Sequence, residues 1–187
     1  MAKTKHELRL QYKALRDAAP APERLLKSDL ICRHLGAFCA ARGIVRVAAF
    51  GSFGSEVDLR PLVASQPLVS FRFPRIRSTD PPRLTWGPPP LVPGAWGLLE
   101  PLAAPEDLPG VQLLLVPGLA FAEDGHRLGY GKGFYDAVLA QLPGTVVTLG
   151  VAFGFQRCPS LPTGPQDRAV QGLVTETGIL WVKGPPL

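Results

Sequence analysis

The chain predicts an α/β fold: a single three-layer domain with a mostly parallel sheet flanked by helices on both faces. Short apolar runs predict the strands. Val45 to Gly51, Leu68 to Phe73, Val111 to Val116, Val146 to Phe153 and Gly172 to Val182 have the length and content of buried strands. Segments of helical period lie between some of them, near Asp58 to Ala64 and from Phe134 to Leu142, and strand–helix alternation argues for parallel crossovers. Size agrees, because 187 residues suffice for one domain with a substantial core, and 46% hydrophobic against 19% charged residues excludes general disorder.

The elements follow in chain order. Thr4-Lys5-His6-Glu7 has the Thr-x-x-Glu form of a capping box and starts a first helix, with Leu8, Tyr12 and Leu15 at helical spacing. Lys5, Arg9, Lys13 and Arg16 are expected on the opposite face, and such a basic stripe is ordinarily a solvated one. A second helix runs from about Pro22 to Ala41 and stops before Gly43. Cys32 and Cys39 lie two turns apart on it, which suggests a core-facing stripe. With Cys158 they make an odd count without metal-ligand spacing, so free thiols are expected. The first strand ends in Gly51-Ser52, which suits a binding loop at its carboxyl end, with Glu56 just beyond. Residues 75–109 are Pro-rich and poorly periodic apart from Leu84-Thr85-Trp86, a possible hairpin strand. They read as an insertion shaping a pocket within one domain spanning residues 1–187.

The chemistry concentrates between Pro117 and Asp136. Gly125, Gly129, Gly131 and Gly133, with Arg127 and Lys132 among them, join an apolar run to a helical one that opens near Asp136. Glycines let backbone N–H groups approach an anion, a helix N-terminus points its positive end at the same place, and the two cations add full charge. A Walker A loop requires a glycine where His126 stands and Ser or Thr where Gly133 stands. The dinucleotide fingerprint requires a glycine at Phe134. Read alone, the segment is either a phosphate-binding turn or a flexible surface loop.

The pattern Pro117-Gly118-Leu119-Ala120-Phe121, followed by Gly125-His126-Arg127-Leu128-Gly129-Tyr130-Gly131-Lys132-Gly133-Phe134-Tyr135-Asp136, resembles the signature of the 5-formyltetrahydrofolate cyclo-ligase family. Lys5 to Arg9 with Arg16, Glu56-Val57-Asp58, Gly94 to Pro101 around Trp96, and Asp167 with Val174-Thr175-Glu176 resemble that family's other segments in order. The resemblance implies ATP- and Mg²⁺-dependent cyclisation of 5-formyltetrahydrofolate to 5,10-methenyltetrahydrofolate through a phosphorylated formyl group. It implies Arg127 and Lys132 as catalytic cations. Lys5, Arg9, Arg127, Gly129, Gly131, Lys132, Gly133, Tyr135 and Asp136 would hold ATP. Glu56, Trp96 and Tyr135 would hold the folate, with Asp136 and Asp167 as the Mg²⁺ carboxylates. This chain departs from the pattern at Tyr130, where many members carry a basic residue, and at Phe134, which stands for the first of two tyrosines. Further departures are Ala122 at an often acidic position, and Gln166 and Gln171 at positions where His and Asp are frequent.

The net charge of +5 suits either nucleic acid or a small anionic substrate, and no nucleic-acid motif accompanies it. We expect ATP and a folate as partners, with no nucleic acid and no membrane. The rival readings are a nucleotide-binding paralogue without folate activity and a basic nucleic-acid-binding accessory protein. No apolar run approaches transmembrane length and the first residues are polar and basic, so a cytoplasmic monomer is expected.

Overall fold

The computed structural model describes residues 3–108 and 110–184. The expected capping box starts α1 (Lys5–Ala18): the Glu7 N–H donates to Thr4 Oγ1 at 3.3 Å and the Thr4 N–H to Glu7 Oε2 at 2.7 Å. α2 (Ala21–Arg42) carries proline in its first turn, where the missing N–H costs nothing. It ends at Gly43, whose φ of 60° is a left-handed conformation that glycine adopts without penalty. Ile31, Cys32, Leu35 and Cys39 form the buried stripe of α2, and burial pushes both thiols up to about 11.

β1 (Arg46–Ala48) leads through a loop to α3 (Arg60–Ser65), then to β2 (Ser70–Thr79) and β3 (Pro82–Gly87). β4 (Leu91–Pro93) and β5 (Leu99–Pro101) pair as a small ribbon. β6 (Leu113–Pro117), β7 (Ala120–Ala122) and β8 (Arg127–Leu128) precede α4 (Phe134–Gln141). β9 (Val147–Val151), β10 (Arg157–Cys158), β11 (Gly172–Thr175) and β12 (Gly178–Trp181) complete the order.

Seven strands make one sheet in the order β12-β11-β9-β6-β1-β2-β3. The five inner strands run parallel, and the edge strands β12 and β3 are antiparallel to their neighbours. α2 and α3 cover one face through a cluster that includes Ile31, Leu35, Leu62, Phe71, Leu113 and Leu115. On the other face, residues of α4 and Trp86 pack with Leu114, Val116 and Phe121. The mixed α/β architecture is therefore as expected.

Three local expectations are corrected. Gly172 to Val182 is not one strand but the β11–β12 hairpin, because Thr175 to Gly178 forms a tight turn in which Gly178 has φ 126°. Residues 75–87, expected to be largely irregular apart from Leu84-Thr85-Trp86, extend β2 and build β3 at the edge of the main sheet. The cations of α1 do not share one solvated face. Lys5, Arg9 and Arg16 recur at i, i+4 and i+11, so they fall on one side, which turns inward, whereas Lys13 points outward to Asp17 and Leu15 is 43% exposed.

Candidate active site

β1 and β6 are neighbours, yet the chain leaves β1 toward β2 on one side and returns to β6 on the other. A crevice opens at such a switch of direction, outside the carboxyl ends of the strands. A cavity of about 450 Å³ occupies that place. Lys5, Arg9, Glu56, Trp96, Arg127, Gly129, Gly131, Lys132, Gly133, Tyr135, Asp136 and Asp167 all line it, so every candidate site residue reaches one space.

One wall is cationic and rich in backbone donors. Gly131 and Gly133 have φ of 88° and 74°, conformations that other residues adopt only with strain, and they bring the loop over to α4. Space is also limiting at Gly131, because a Cβ there would stand 3.2 Å from the guanidinium of Arg9. Arg9 holds the loop by donating from Nε to the Gly129 carbonyl at 2.9 Å. Arg127 is 5% exposed and pairs through Nη1 with Asp136 Oδ1 at 3.1 Å, while its Nε is buried without a partner among the described residues. The Arg168 N–H donates to the same Asp136 oxygen. Lys5 Nζ meets Asp167 Oδ2 at 2.5 Å. Burial alone would raise the Asp167 carboxyl, but the Lys5 contact and the Gly164 N–H outweigh it and hold the group below its ordinary range.

The facing wall is apolar and aromatic, with Phe50, Phe53, Pro74, Ile76, Leu84, Leu98 and Leu99 along it. Trp96 stands 57% exposed at its rim, with the Lys132 ammonium 5.3 Å from the ring centroid. The Tyr135 hydroxyl is buried and unpaired among the described residues, and burial pushes its ionisation far up, so it remains a phenol and a donor. Glu56 is 9% exposed, and burial raises its carboxyl against the downward pull of Arg16, the Phe53 N–H and Tyr130. The arrangement offers an anion cradle on one side and a flat apolar slot with one carboxylate on the other.

A family model described as the 5-formyltetrahydrofolate cyclo-ligase family matches residues 1–176. This chain belongs to that family. The 5-formyltetrahydrofolate cyclo-ligase of Mus musculus is 30% identical over 190 residues, covering 92% of this chain and 93% of its own. The solved structure of Aquifex aeolicus 5,10-methenyltetrahydrofolate synthetase superposes with a TM-score of 0.82 at 29% identity, covering 98% of this chain and 95% of that one. The Mycoplasma pneumoniae synthetase agrees in fold, with a TM-score of 0.74 at 22% identity over 93% of this chain and 99% of that one. No helix among the described residues of this cyclo-ligase family member is long and apolar enough to cross a membrane.

Two side chains beside Glu56 were not among the expected site residues. Arg16 counted only as one cation of the α1 stripe, yet it is 3% exposed and lies 3.7 Å from Glu56. Tyr130 counted only as a departure from the family pattern, at a position where many members carry a basic residue. Its hydroxyl instead accepts from Arg16 at 2.5 Å and donates to Glu56 at 3.2 Å. The signals for Arg16 were its helical spacing from Lys5 and Arg9 and its place in the first segment that resembles the family. Among the other departures, Phe134 packs into the core under the sheet, and Gln171 accepts from the Thr148 N–H at 3.0 Å.

Proposed function

We propose that this chain closes 5-formyltetrahydrofolate to 5,10-methenyltetrahydrofolate with ATP as phosphoryl donor and Mg²⁺ bound, releasing ADP and phosphate. The observation that carries the reading is the convergence of the cationic glycine loop and the Glu56-containing apolar wall on one cavity.

The N5-formyl group is an amide, so its carbon is a weak electrophile and its oxygen a poor leaving group. Transfer of the γ-phosphoryl to the formyl oxygen, with ADP departing, answers both faults. N10 then attacks the formyl carbon, a proton leaves N10, and the C–O bond breaks to release phosphate and the methenyl bridge. Phosphoryl transfer asks a protein chiefly for in-line positioning and charge stabilisation. The unpaired Nε of Arg127 and the Lys132 ammonium are suited to that charge, with Lys5, Arg9 and the Gly129–Gly133 backbone to the triphosphate. Glu56 would accept from the N–H edge of the pterin, and Trp96 and Tyr135 would flank the ring.

Mg²⁺ is ordinarily held by one or two carboxylates together with phosphate oxygens, and Asp136 and Asp167 on the cavity wall fit that donor set. When bound it would neutralise charge on the phosphate oxygens. Asp136 is kept in place by Arg127 and the Arg168 N–H, and Asp167 by Lys5 and the Gly164 N–H.

The test is the absorbance of the methenyl product formed by the wild-type chain with and without ATP and with a chelator. Product that appears without ATP, or no product at all, would refute the reading.

A further inference from the structure

We propose that Tyr130 and Arg16 are a positioning pair that fixes the Glu56 carboxylate for the substrate, with the Tyr130 hydroxyl as the necessary link. The proposal rests on the reading of Glu56 as the group that faces the pterin.

The geometry makes the hydroxyl indispensable. Arg16 Nη1 stands 3.7 Å from Glu56 Oε1, too far for a hydrogen bond, so charge attraction alone would not set the carboxylate's angle. The phenol spans that gap in one direction only: its oxygen accepts from Arg16 Nη2 at 2.5 Å and its proton goes to Oε1 at 3.2 Å. The guanidinium is pinned on its other side, where Nε donates to Ser55 Oγ at 3.0 Å and Ser55 in turn donates to Asp17. Glu56 Oε2 takes the Phe53 N–H at 3.0 Å. Both carboxylate oxygens are thus anchored from the protein side. An ionised carboxylate offers about four lone-pair directions, so acceptor capacity remains for the substrate.

The position of Tyr130 explains how a loop residue serves this purpose. The residue is 44% exposed and lines the cavity beside Gly129 and Gly131 of the anion cradle, while its hydroxyl meets Arg16 and Glu56. The same residue therefore couples the loop that faces the nucleotide to the carboxylate that faces the folate. The ionisable groups that bear on Glu56 are Arg16 from α1, Tyr130 from the loop and Tyr135 from the start of α4. Burial pushes the Glu56 carboxyl up, and Arg16 and Tyr130 pull it back down. Loss of the hydroxyl removes one of those downward pulls.

The experiment is Tyr130→Phe, which deletes the hydroxyl and keeps the ring. KM for 5-formyltetrahydrofolate is expected to rise roughly tenfold, the effect of one lost hydrogen bond to a charged group. That rise should exceed any change in kcat or in KM for ATP by at least fivefold. The acid limb of kcat/KM for the folate should move to higher pH. Arg16→Lys keeps the charge and loses the two-sided fork, and should raise the same KM. Calorimetric titration with 5-formyltetrahydrofolate in the absence of ATP should show the same weakening without depending on turnover. An unchanged folate KM in Tyr130→Phe, or a rise in the ATP KM instead, overturns the pair while the activity stands. If the wild-type chain neither turns over nor binds 5-formyltetrahydrofolate, the functional reading and this proposal fall together.

Discussion

Replacing Arg127 by lysine isolates one contact in the cavity. The guanidinium carries five N–H donors. Its Nη1 is committed to Asp136 at 3.1 Å and to the Arg168 carbonyl at 3.3 Å, while Nε is buried and unpaired among the described residues. A buried donor left without a partner costs about 1–3 kcal/mol, which a phosphoryl oxygen arriving at Nε would recover, and hydrogen bonds to charged groups fall in a similar range. At about 1.4 kcal/mol for each factor of ten, losing that contact slows the reaction roughly tenfold to a hundredfold. Lysine keeps the charge and can remain beside Asp136, but it has no second donor set at a fixed angle to the first. The assay is methenyl formation with both substrates saturating, alongside thermal unfolding. We expect kcat and kcat/KM to fall together, the mark of a contact made in the transition state, with the midpoint of unfolding shifted by a few degrees at most. A lysine variant whose kcat stays within twofold of wild type while remaining folded would refute the role of Nε.

Lys132→Ala should lower turnover sharply yet leave folding intact, because the side chain is exposed and, among the described residues, rests against the exposed Trp96 ring; unchanged turnover would sink the loop assignment. The Asp167 carboxyl lies below its ordinary value, so its stabilising contribution is present above about pH 4 and is lost as pH falls through the folded value. Chemical denaturation should accordingly show Asp167→Asn losing less stability than wild type on acidification below about pH 4, and equal losses would refute this. Trp86 is 1% exposed, and Trp86→Ala should cost about 3–5 kcal/mol in urea unfolding; a cost under about 1 kcal/mol would show that the sheet edge collapses to fill the space.

The legible parts were those written in short stretches of chain. Thr4 and Glu7 are three residues apart and make their own cap, and Gly43 ends α2 by its own φ. Strand order was not legible, because it depends on which side each crossover takes. The β11–β12 turn was hidden inside an apolar run whose only marker was Gly178. At the site, the glycine loop stood out through its spacing. Arg16 stood out only through the resemblance, because in spacing nothing local separates it from Lys13. What distinguishes them is a contact with Tyr130, 114 residues away, and sequence separations of that size leave no trace in periodicity. The ordinary reading of a basic stripe as a solvated face, which the resemblance had already set aside for Lys5 and Arg9, does not hold for them: both line the cavity.

The inward cations of α1 have a consequence for the chain as a folding unit. Arg16 is the helix's one buried residue, and Lys5, Arg9 and Arg16 tie it to Asp167, the Gly129 carbonyl and Tyr130. Leu10 and Leu15, which could have anchored it by ordinary packing, are 59% and 43% exposed. Lys5 and Arg9, which line the cavity, and the buried Arg16 beside them thus link the first helix to the body of the chain. An anion seated in the cavity would therefore meet two of the cations that hold α1 in place, so the footing of the helix and the charge of the cavity share the same side chains.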